Sequence, residues 1–334
     1  MREIVISESA ACQRLDKFLQ KTLDKAPKGF IYKMIRKKNI KLNGARAEGH
    51  TMLAVGDKIT LFLSDETIAG FTTERAVRVA GALHVVYEDG YVLICDKPAG
   101  VLVHPERAAD KDTMVHRAQY YLYHKGTYDP ADRAAFAPAF CNRLDRNTSG
   151  LVVCAKTLAA AQWLNKAFAD RKAEKRYRAV VCGRLDAAGI LGGYMTKDAA
   201  NKKAIVHRIE APPAEAEASP AFAKAKAVHT RYVPIWHQNG CSYLDVTIAT
   251  GKFHQIRAHF AQIGHPIVGD VKYGRADINE RFRRRAGVTS PMLHAWQLTF
   301  TETAGALGYL AGQTFEAGLP PMFKQGLTLL ENGG

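Results

Sequence analysis

The chain has 334 residues, with 47 Lys or Arg against 32 Asp or Glu, a formal net charge of +15 and a pI of about 9.5. Its 47% hydrophobic and 24% charged content excludes intrinsic disorder and collagen-like structure, while the excess of positive charge points to an anionic partner. No apolar run approaches the roughly 18 residues of a membrane span, and MREIVISESA carries Glu3 and Glu8 where a secretory signal would be apolar, so a cytoplasmic protein without a membrane partner is expected.

Between Cys12 and Ser64 there are twelve Lys or Arg against four acids, a net of +8 and over half of the whole excess. Leu15, Phe18, Leu19 and Leu23 have helical spacing, and Ile31, Met34 and Ile35 repeat it after Pro27 and Gly29, which predicts two short helices. Arg36, Lys37, Lys38 and Lys41 run into the alternating Ile40-Lys41-Leu42 and a hairpin-type Asn43-Gly44, and a further strand is expected over Ile59 to Leu63. Residues 1–66 therefore read as a small α/β basic unit, 67–80 as a linker and 81–330 as a second domain.

From Leu83, HVVYEDGYVLICDKPAGVLVHP predicts two strands joined at Glu88-Asp89-Gly90, then a turn at Lys97 to Gly100 and a third short strand ending at His104-Pro105. A helix is expected near 113–124, an irregular stretch to about 138, and a strand over Leu151 to Ala155 after the polar loop CNRLDRNTSG. Thr157 is placed to cap a helix with Ala160, Trp163, Leu164, Ala167 and Phe168 on one face, and Arg176 to Cys182 follows as a strand. Residues 211–227, rich in Ala, Pro and Glu, read as a mobile insertion. Strands are expected near 228–235 and 242–249, then a turn at Thr250-Gly251 and a helix with Phe253, Ile256, Phe260 and Ile263 as its buried stripe and Arg257 at the edge between core and solvent. Strands that follow one another directly indicate an α+β domain on a largely antiparallel sheet flanked by helices and loops.

Six cysteines (12, 95, 141, 154, 182 and 241) form no C-x-x-C pair and sit mostly among Val, Ile and Leu, which predicts buried free thiols and no metal site. Asp145 lies between Arg143 and Arg146, neighbours that favour its carboxylate. The residues alone leave two readings open: a reactive carboxylate on a loop held by a rigid strand, or an ion pair that fastens the loop. Arg281 and Arg283 to Arg285 form a second basic run, either near an active-site rim or simply solvated.

Two resemblances add to this reading. RLDKFL, MIRKKNIKLNG and VGDKITLFL together resemble an S4 RNA-binding domain, which implies RNA contacts from Arg14, Lys33, Arg36, Lys37, Lys38 and Lys41. NRLDRNTSGLVV, with VVYEDGYVLICDKPAGVLVHP, KRYRAVVCG, GKFHQIRAHFAQIGHPIVGDVKYG and MLHAWQLTF in order, resembles the RluA family of pseudouridine synthases over roughly 83–300. The family resemblance implies its pseudouridine synthase fold and a reaction on RNA that needs no cofactor; a monomer is expected, and the basic segment, set apart in sequence from the catalytic blocks, suggests a large structured RNA such as large-subunit ribosomal RNA as the substrate. It also implies Asp145 as the catalytic carboxylate, Arg257 as its ion-pair partner and Tyr177 against the uracil, where it could also serve as a base. Arg143, Leu144, Arg146, Lys252, His254 and Ile256 are the implied substrate-binding residues, with Leu144 and Ile256 as apolar wall, and Lys97 and His104 are weaker candidates for RNA contact. Asn142 stands where the family usually has His, and Lys252 where Arg is common. Competing expectations are a transfer RNA synthase, an RNA-binding ribosome-assembly factor without catalysis, and a hydrolase with Asp145 as nucleophile.

Overall fold

The computed structural model describes every residue except 74–79, 133–135, 199, 202, 208–225 and 334. The apolar stripes of the first unit become α1 (Leu15–Thr22) and α2 (Lys28–Arg36), whose Leu15, Phe18, Leu19, Ile31, Met34 and Ile35 share one core. They pack on a four-stranded sheet ordered β1-β4-β2-β3, made of β1 (Arg2–Val5), β2 (Ile40–Leu42), β3 (Ala45–Arg46) and β4 (Lys58–Leu61). Asn43 and Gly44 have φ of 51° and 77°, the paired left-handed conformation that a two-residue hairpin needs. The expected linker is helical at its start. Ser64 caps α3 (Asp65–Gly70) by accepting from the Thr67 amide, and Ile68 is buried in the first core. The rest of the linker falls largely outside the described residues.

The second unit is built on an eleven-stranded sheet, with β11-β10-β12-β13-β9-β14-β8-β6-β5 in line, β15 on β14 and β7 on β8. Its strands are β5 (His84–Glu88), β6 (Val92–Lys97), β7 (Ala139–Phe140), β8 (Ser149–Ala155), β9 (Ala173–Cys182), β10 (Gly189–Asp198), β11 (Lys203–His207), β12 (Lys226–Gln238), β13 (Cys241–Ile248), β14 (Leu293–Phe300) and β15 (Thr314–Glu316). Helices α4 (Met114–His124), α5 (Leu158–Ala169), α6 (Gln255–Gln262), α7 (Ala276–Ala286) and α8 (Pro321–Glu331) pack around it. Every pairing between the named strands is antiparallel except β14 with β8, so the α+β reading with a largely antiparallel sheet holds.

The continuous apolar run of β8 is explained by cover on both faces, since all seven of its residues are buried. Val152 and Cys154 meet Met114, Ala118 and Leu122 of α4, while Leu151 and Val153 meet Ala160 and Leu164 of α5. Thr157 caps α5 by accepting from the Ala160 amide at 3.1 Å. At this corner the basic unit also docks, through Leu158 N to Ser9 O at 3.1 Å and Gln162 Nε2 to Cys12 O at 3.3 Å.

Four expectations are corrected. The third strand before His104 is only an isolated bridge between Leu102 and Thr113. Strands β10 and β11 were not expected, because three glycines in GILGGYMTKD break the alternation that marks a strand. Phe253 precedes α6 and is exposed, so it leaves the buried stripe to Ile256 and Phe260. Cys12 is exposed and Cys141 only partly buried. The insertion expected at 211–227 lies outside the described residues up to 225, and 226–227 begin β12.

Gly150 shows how tightly the sheet centre is built: its φ is +117°, and a Cβ there would collide with the Ala295 carbonyl of β14. Gly150→Ala is expected to lower stability by at least about 2 kcal/mol. Urea denaturation checks this, and an unchanged midpoint would show that β8 and β14 can move apart.

Candidate active site

The polar loop between β7 and β8 is fastened at both ends. Asn142 Oδ1 accepts from Val153 N at 2.8 Å and its Nδ2 donates to Leu151 O at 3.4 Å, so this side chain clips the loop onto β8. After Asp145, the Arg146 carbonyl accepts from Gly100 N at 2.9 Å and from Lys97 Nζ at 3.0 Å. Lys97 is fully buried and also donates to the Pro98 and Val101 carbonyls at 2.9 and 2.8 Å, which removes it as an RNA contact and makes it the pin of the loop. Burial pushes its ammonium down to about 7, opposed by the charges of Asp145 and Asp96. His104 is exposed, and partial burial of its ring and the charge of Arg143 lower its imidazole.

Across the cleft, β13 turns into α6 through Thr250 to His254. Gln255 is buried and ties this turn together: its Oε1 accepts from Thr250 Oγ1 at 2.8 Å and Lys252 N at 3.2 Å, and its Nε2 donates to His229 O at 3.0 Å. Arg257, in the first turn of α6, is also buried. Its Nε and Nη2 donate to the two oxygens of Asp270 at 2.7 and 2.9 Å, and its Nη1 donates to Asp145 Oδ2 at 3.1 Å. Arg257 was expected at the edge of the core and is instead inside it, between two carboxylates.

Asp270 is the member of this buried ion group that sequence reasoning missed. It is fully buried, and its Oδ1 also accepts from the Lys272 and Tyr273 amides at 2.9 and 3.2 Å. Its only signal was its place in GHPIVGDVKYG, where nothing local reveals a partner 13 residues earlier. The two arginines beside Asp145 do not pair with it. Arg146 turns its Nε to Gly100 O at 3.0 Å, and Arg143 is exposed on the cleft.

The cleft is lined by Arg143, Leu144, Asp145, Tyr177, Ile248, Lys252, His254, Ile256 and Arg257. The expected apolar wall of Leu144 and Ile256 is present, and Tyr177 shares its strand face with Ala179 and Val181 in the core. Arg176 and Arg178 point the other way and pair with Asp245 at 2.6 and 2.7 Å. Burial, then the charge of Asp145, holds the Tyr177 phenol well above its ordinary range, so its resting form is neutral. His254 is buried with Nδ1 3.0 Å from the Tyr273 hydroxyl, and burial pushes its imidazole down to about 4 against the pull of Asp145. At neutral pH it therefore has no positive charge for a phosphate. Among the described residues no group of His, Cys, Asp and Glu has the arrangement of a metal site.

The basic positions of the first unit are mostly open to solvent: Lys33, Arg36, Lys37 and Lys38 are exposed, and Lys41 Nζ lies 5.2 Å from the Phe62 ring centroid. Arg14 is partly committed, since it forms two hydrogen bonds with buried Asp16 at 3.1 and 2.8 Å. In the second basic run, Arg283 and Arg284 both pair with Glu280 on their own helix. No helix among the described residues is long and apolar enough to cross a membrane.

Comparison with known proteins gives the family and the fold. Residues 91–262 match the family described as RNA pseudouridylate synthase. The chain is 30% identical over 308 residues to the ribosomal large subunit pseudouridine synthase D of Nitrosomonas europaea, covering 90% of this chain and 80% of that one. It is 29% identical over 304 residues to the ribosomal large subunit pseudouridine synthase C of Buchnera aphidicola subsp. Schizaphis graminum, covering 89% and 88%. Its fold is similar to that of human RNA pseudouridylate synthase domain containing 4, with a TM-score of 0.56 at 20% identity over 74% of this chain and 93% of that one.

A second histidine sets a pH limit on this architecture. His294 of β14 is buried, with Nδ1 2.8 Å from Ser149 Oγ and Nε2 3.3 Å from Ala317 O, and burial pushes it down to about 4. The unfolded chain, with an ordinary histidine near 6.5, then binds more protons than the folded one between pH 6.5 and 4. Stability is expected to be full above pH 6.5 and to fall as pH drops towards 4. His294→Gln should make that fall shallower in denaturation midpoints measured across the window, and equal slopes for variant and wild type would remove His294 as a source.

Proposed function

The chain belongs to the RNA pseudouridylate synthase family and isomerises uridine in RNA to pseudouridine; from that premise we propose that Asp145, Arg257 and Tyr177 act at the reacting base and that the substrate is large-subunit ribosomal RNA. The observation that carries the site reading is the buried Arg257 shared between Asp270 and a cleft-facing Asp145 whose side chain is 19% exposed.

The reaction breaks the bond from ribose C1′ to uracil N1, joins C1′ to C5, moves the C5 proton off the base and returns a proton to N1. No atom or electron is gained or lost overall. Such a reaction needs an ionised carboxylate at the sugar or base and a closed pocket that keeps the detached uracil. Arg257 holds Asp145 by Oδ2, and among the described residues no donor reaches Oδ1, so one carboxylate oxygen is directed to the substrate while the other fixes the group. Leu144, Ile248 and Ile256 give an apolar wall, and the neutral Tyr177 ring supports a stacked base, which suits its raised phenol better than a role as resting base. A hydrolase of the two-carboxylate type is disfavoured because both oxygens of Asp270 are already occupied by Arg257 and two amides.

The ribosomal assignment rests on the names of the Nitrosomonas and Buchnera relatives and on the basic first unit. A stacked uridine must be flipped into the cleft at a cost of a few kcal/mol. Backbone contacts by the segment from Cys12 to Ser64, of net +8, would offset that cost. The S4-like reading of residues 1–66 supplies such contacts from Lys33, Arg36, Lys37, Lys38 and Lys41.

Two measurements test these proposals. Asp145→Asn is nearly isosteric and should keep RNA affinity and melting temperature, while single-turnover conversion falls by at least about a thousandfold, or about 4 kcal/mol. Mapping pseudouridine at nucleotide resolution in cells that carry wild type, Asp145→Asn or no protein should show large-subunit sites only with wild type; sites restored by the variant would end its catalytic role, and sites confined to transfer RNA would end the ribosomal one. Replacing Lys33, Arg36, Lys37 and Lys38 together by Gln should weaken RNA binding and lower the salt slope by up to about 0.9 for each phosphate no longer neutralised. An unchanged slope would remove the first unit from the RNA interface.

A further inference from the structure

The turn before α6 holds an aromatic ring that the chemistry above does not use. Phe253 lines the same cleft as Asp145, yet 36% of it remains exposed. One face of the ring lies nearly flat on His254, with centroids 3.7 Å and planes 22° apart. This support is rigid. His254 is buried, its backbone is left-handed at φ 55° and ψ 22°, and its Nδ1 is 3.0 Å from the Tyr273 hydroxyl. A non-glycine residue keeps that conformation only where its surroundings hold it. Tyr273 is itself fastened, because its hydroxyl accepts from the Ala204 amide of β11 at 2.6 Å. The β10–β11 hairpin thus backs the ring through two intermediates.

A single exposed apolar side chain is ordinary on a protein surface. Phe253 differs in being stiffly mounted at the mouth of a cleft, with one cation over it and others nearby. Lys197 Nζ lies over its ring, 5.3 Å from the centroid, on an exposed flexible arm that an entering base would displace; Lys203 Nζ lies 5.6 Å from the Tyr273 centroid, and exposed Lys252 precedes Phe253 in the chain and lines the cleft. An aromatic platform beside long-armed cations is the arrangement that binds unpaired nucleotides, the ring taking a base and the cations the phosphates. Flipping a uridine also strips its neighbour of a stacking partner and leaves an apolar base face in water.

We propose that Phe253 stacks against the base next to the flipped uridine, with Lys197 and Lys203 holding the phosphates beside it, so that the enzyme grips two nucleotides and not one. The inference rests on the reading of the Asp145 cleft as the uridine pocket. Phe253 is on this account a positioning residue: it replaces the stacking that flipping destroys.

The test is a coupling experiment on the full-length protein, with a short RNA stem-loop that carries the mapped uridine and either a normal or an abasic nucleotide on its 5′ or 3′ side. Phe253→Ala should weaken binding of the normal RNA by about tenfold or more. Removing the base on one side should weaken wild type by a similar factor, and the two changes together should cost no more than either alone. Phe253→Trp should retain wild-type affinity and the sensitivity to the abasic site. Equal losses for Phe253→Ala on normal and abasic RNAs at both positions would mean that the ring merely supports His254, and an unaffected Phe253→Ala would mean that it contacts nothing; either overturns the proposal. If wild type neither binds nor isomerises the normal stem-loop, the uridine-pocket reading fails first.

Discussion

A guanidinium buried between two carboxylates is the constraint to which the rest of the catalytic unit conforms. Arg257 carries one positive charge, Asp270 and Asp145 carry two negative ones, and the site would be costly to bury without further donors. The Lys272 and Tyr273 amides supply these on the closed side, at Asp270. On the open side, among the described residues, Asp145 has only Arg257 for a cation within bonding distance, so the residual negative charge of the triad is left at the cleft. The same arrangement that makes the ion group tolerable inside the protein therefore leaves one carboxylate oxygen of Asp145 facing the cleft.

Three chain segments far apart in sequence must meet for this to happen: the loop after β7, the first turn of α6 and the turn at 267–273. Each is held by groups that take no part in the triad. Asn142 and Lys97 fix the loop, Gln255 fixes the turn into α6, and Asn279 of α7 reaches back to Gly269 N at 2.7 Å and Asp270 O at 3.0 Å. The substitution of Asn142 for the histidine usual in the resembling family is accommodated by this clip, since both amide atoms serve the β8 backbone.

Much of this was legible in the sequence because it is local. The periods of α1, α2 and α5, the capping residue Thr157, the Asn43-Gly44 hairpin and the apolar run of β8 each state their structure within a dozen residues. The identity of Asp145 and Arg257 came from motif resemblance, and the sheet supplied their meeting. What escaped is set by contacts between distant segments. Lys97 looks like any surface lysine until three carbonyls close around it, and Asp270 has no meaning without Arg257. Phe253 was assigned to a helix stripe because its spacing to Ile256 and Phe260 fits a helix, but the left-handed His254 starts the helix one residue later and turns the ring outwards. The β10–β11 hairpin escaped because glycines weaken its pattern and pairing with β12 supplies what the strand lacks.

The place of β14 has a consequence for how the protein comes into being. This strand lies between β8 and β9, which precede it by more than a hundred residues, and it provides the only parallel pairing in the sheet among the described residues. While the ribosome is still making the segment after Cys182, β8 and β9 have no common neighbour and their exposed edges stay open for on the order of ten seconds. The loop of Asp145 and the strand of Tyr177 are fixed relative to one another only when Leu293–Phe300 slides between them. Until that strand is made the two segments are not set side by side, and its late arrival is the step at which misassembly or help from a chaperone would act.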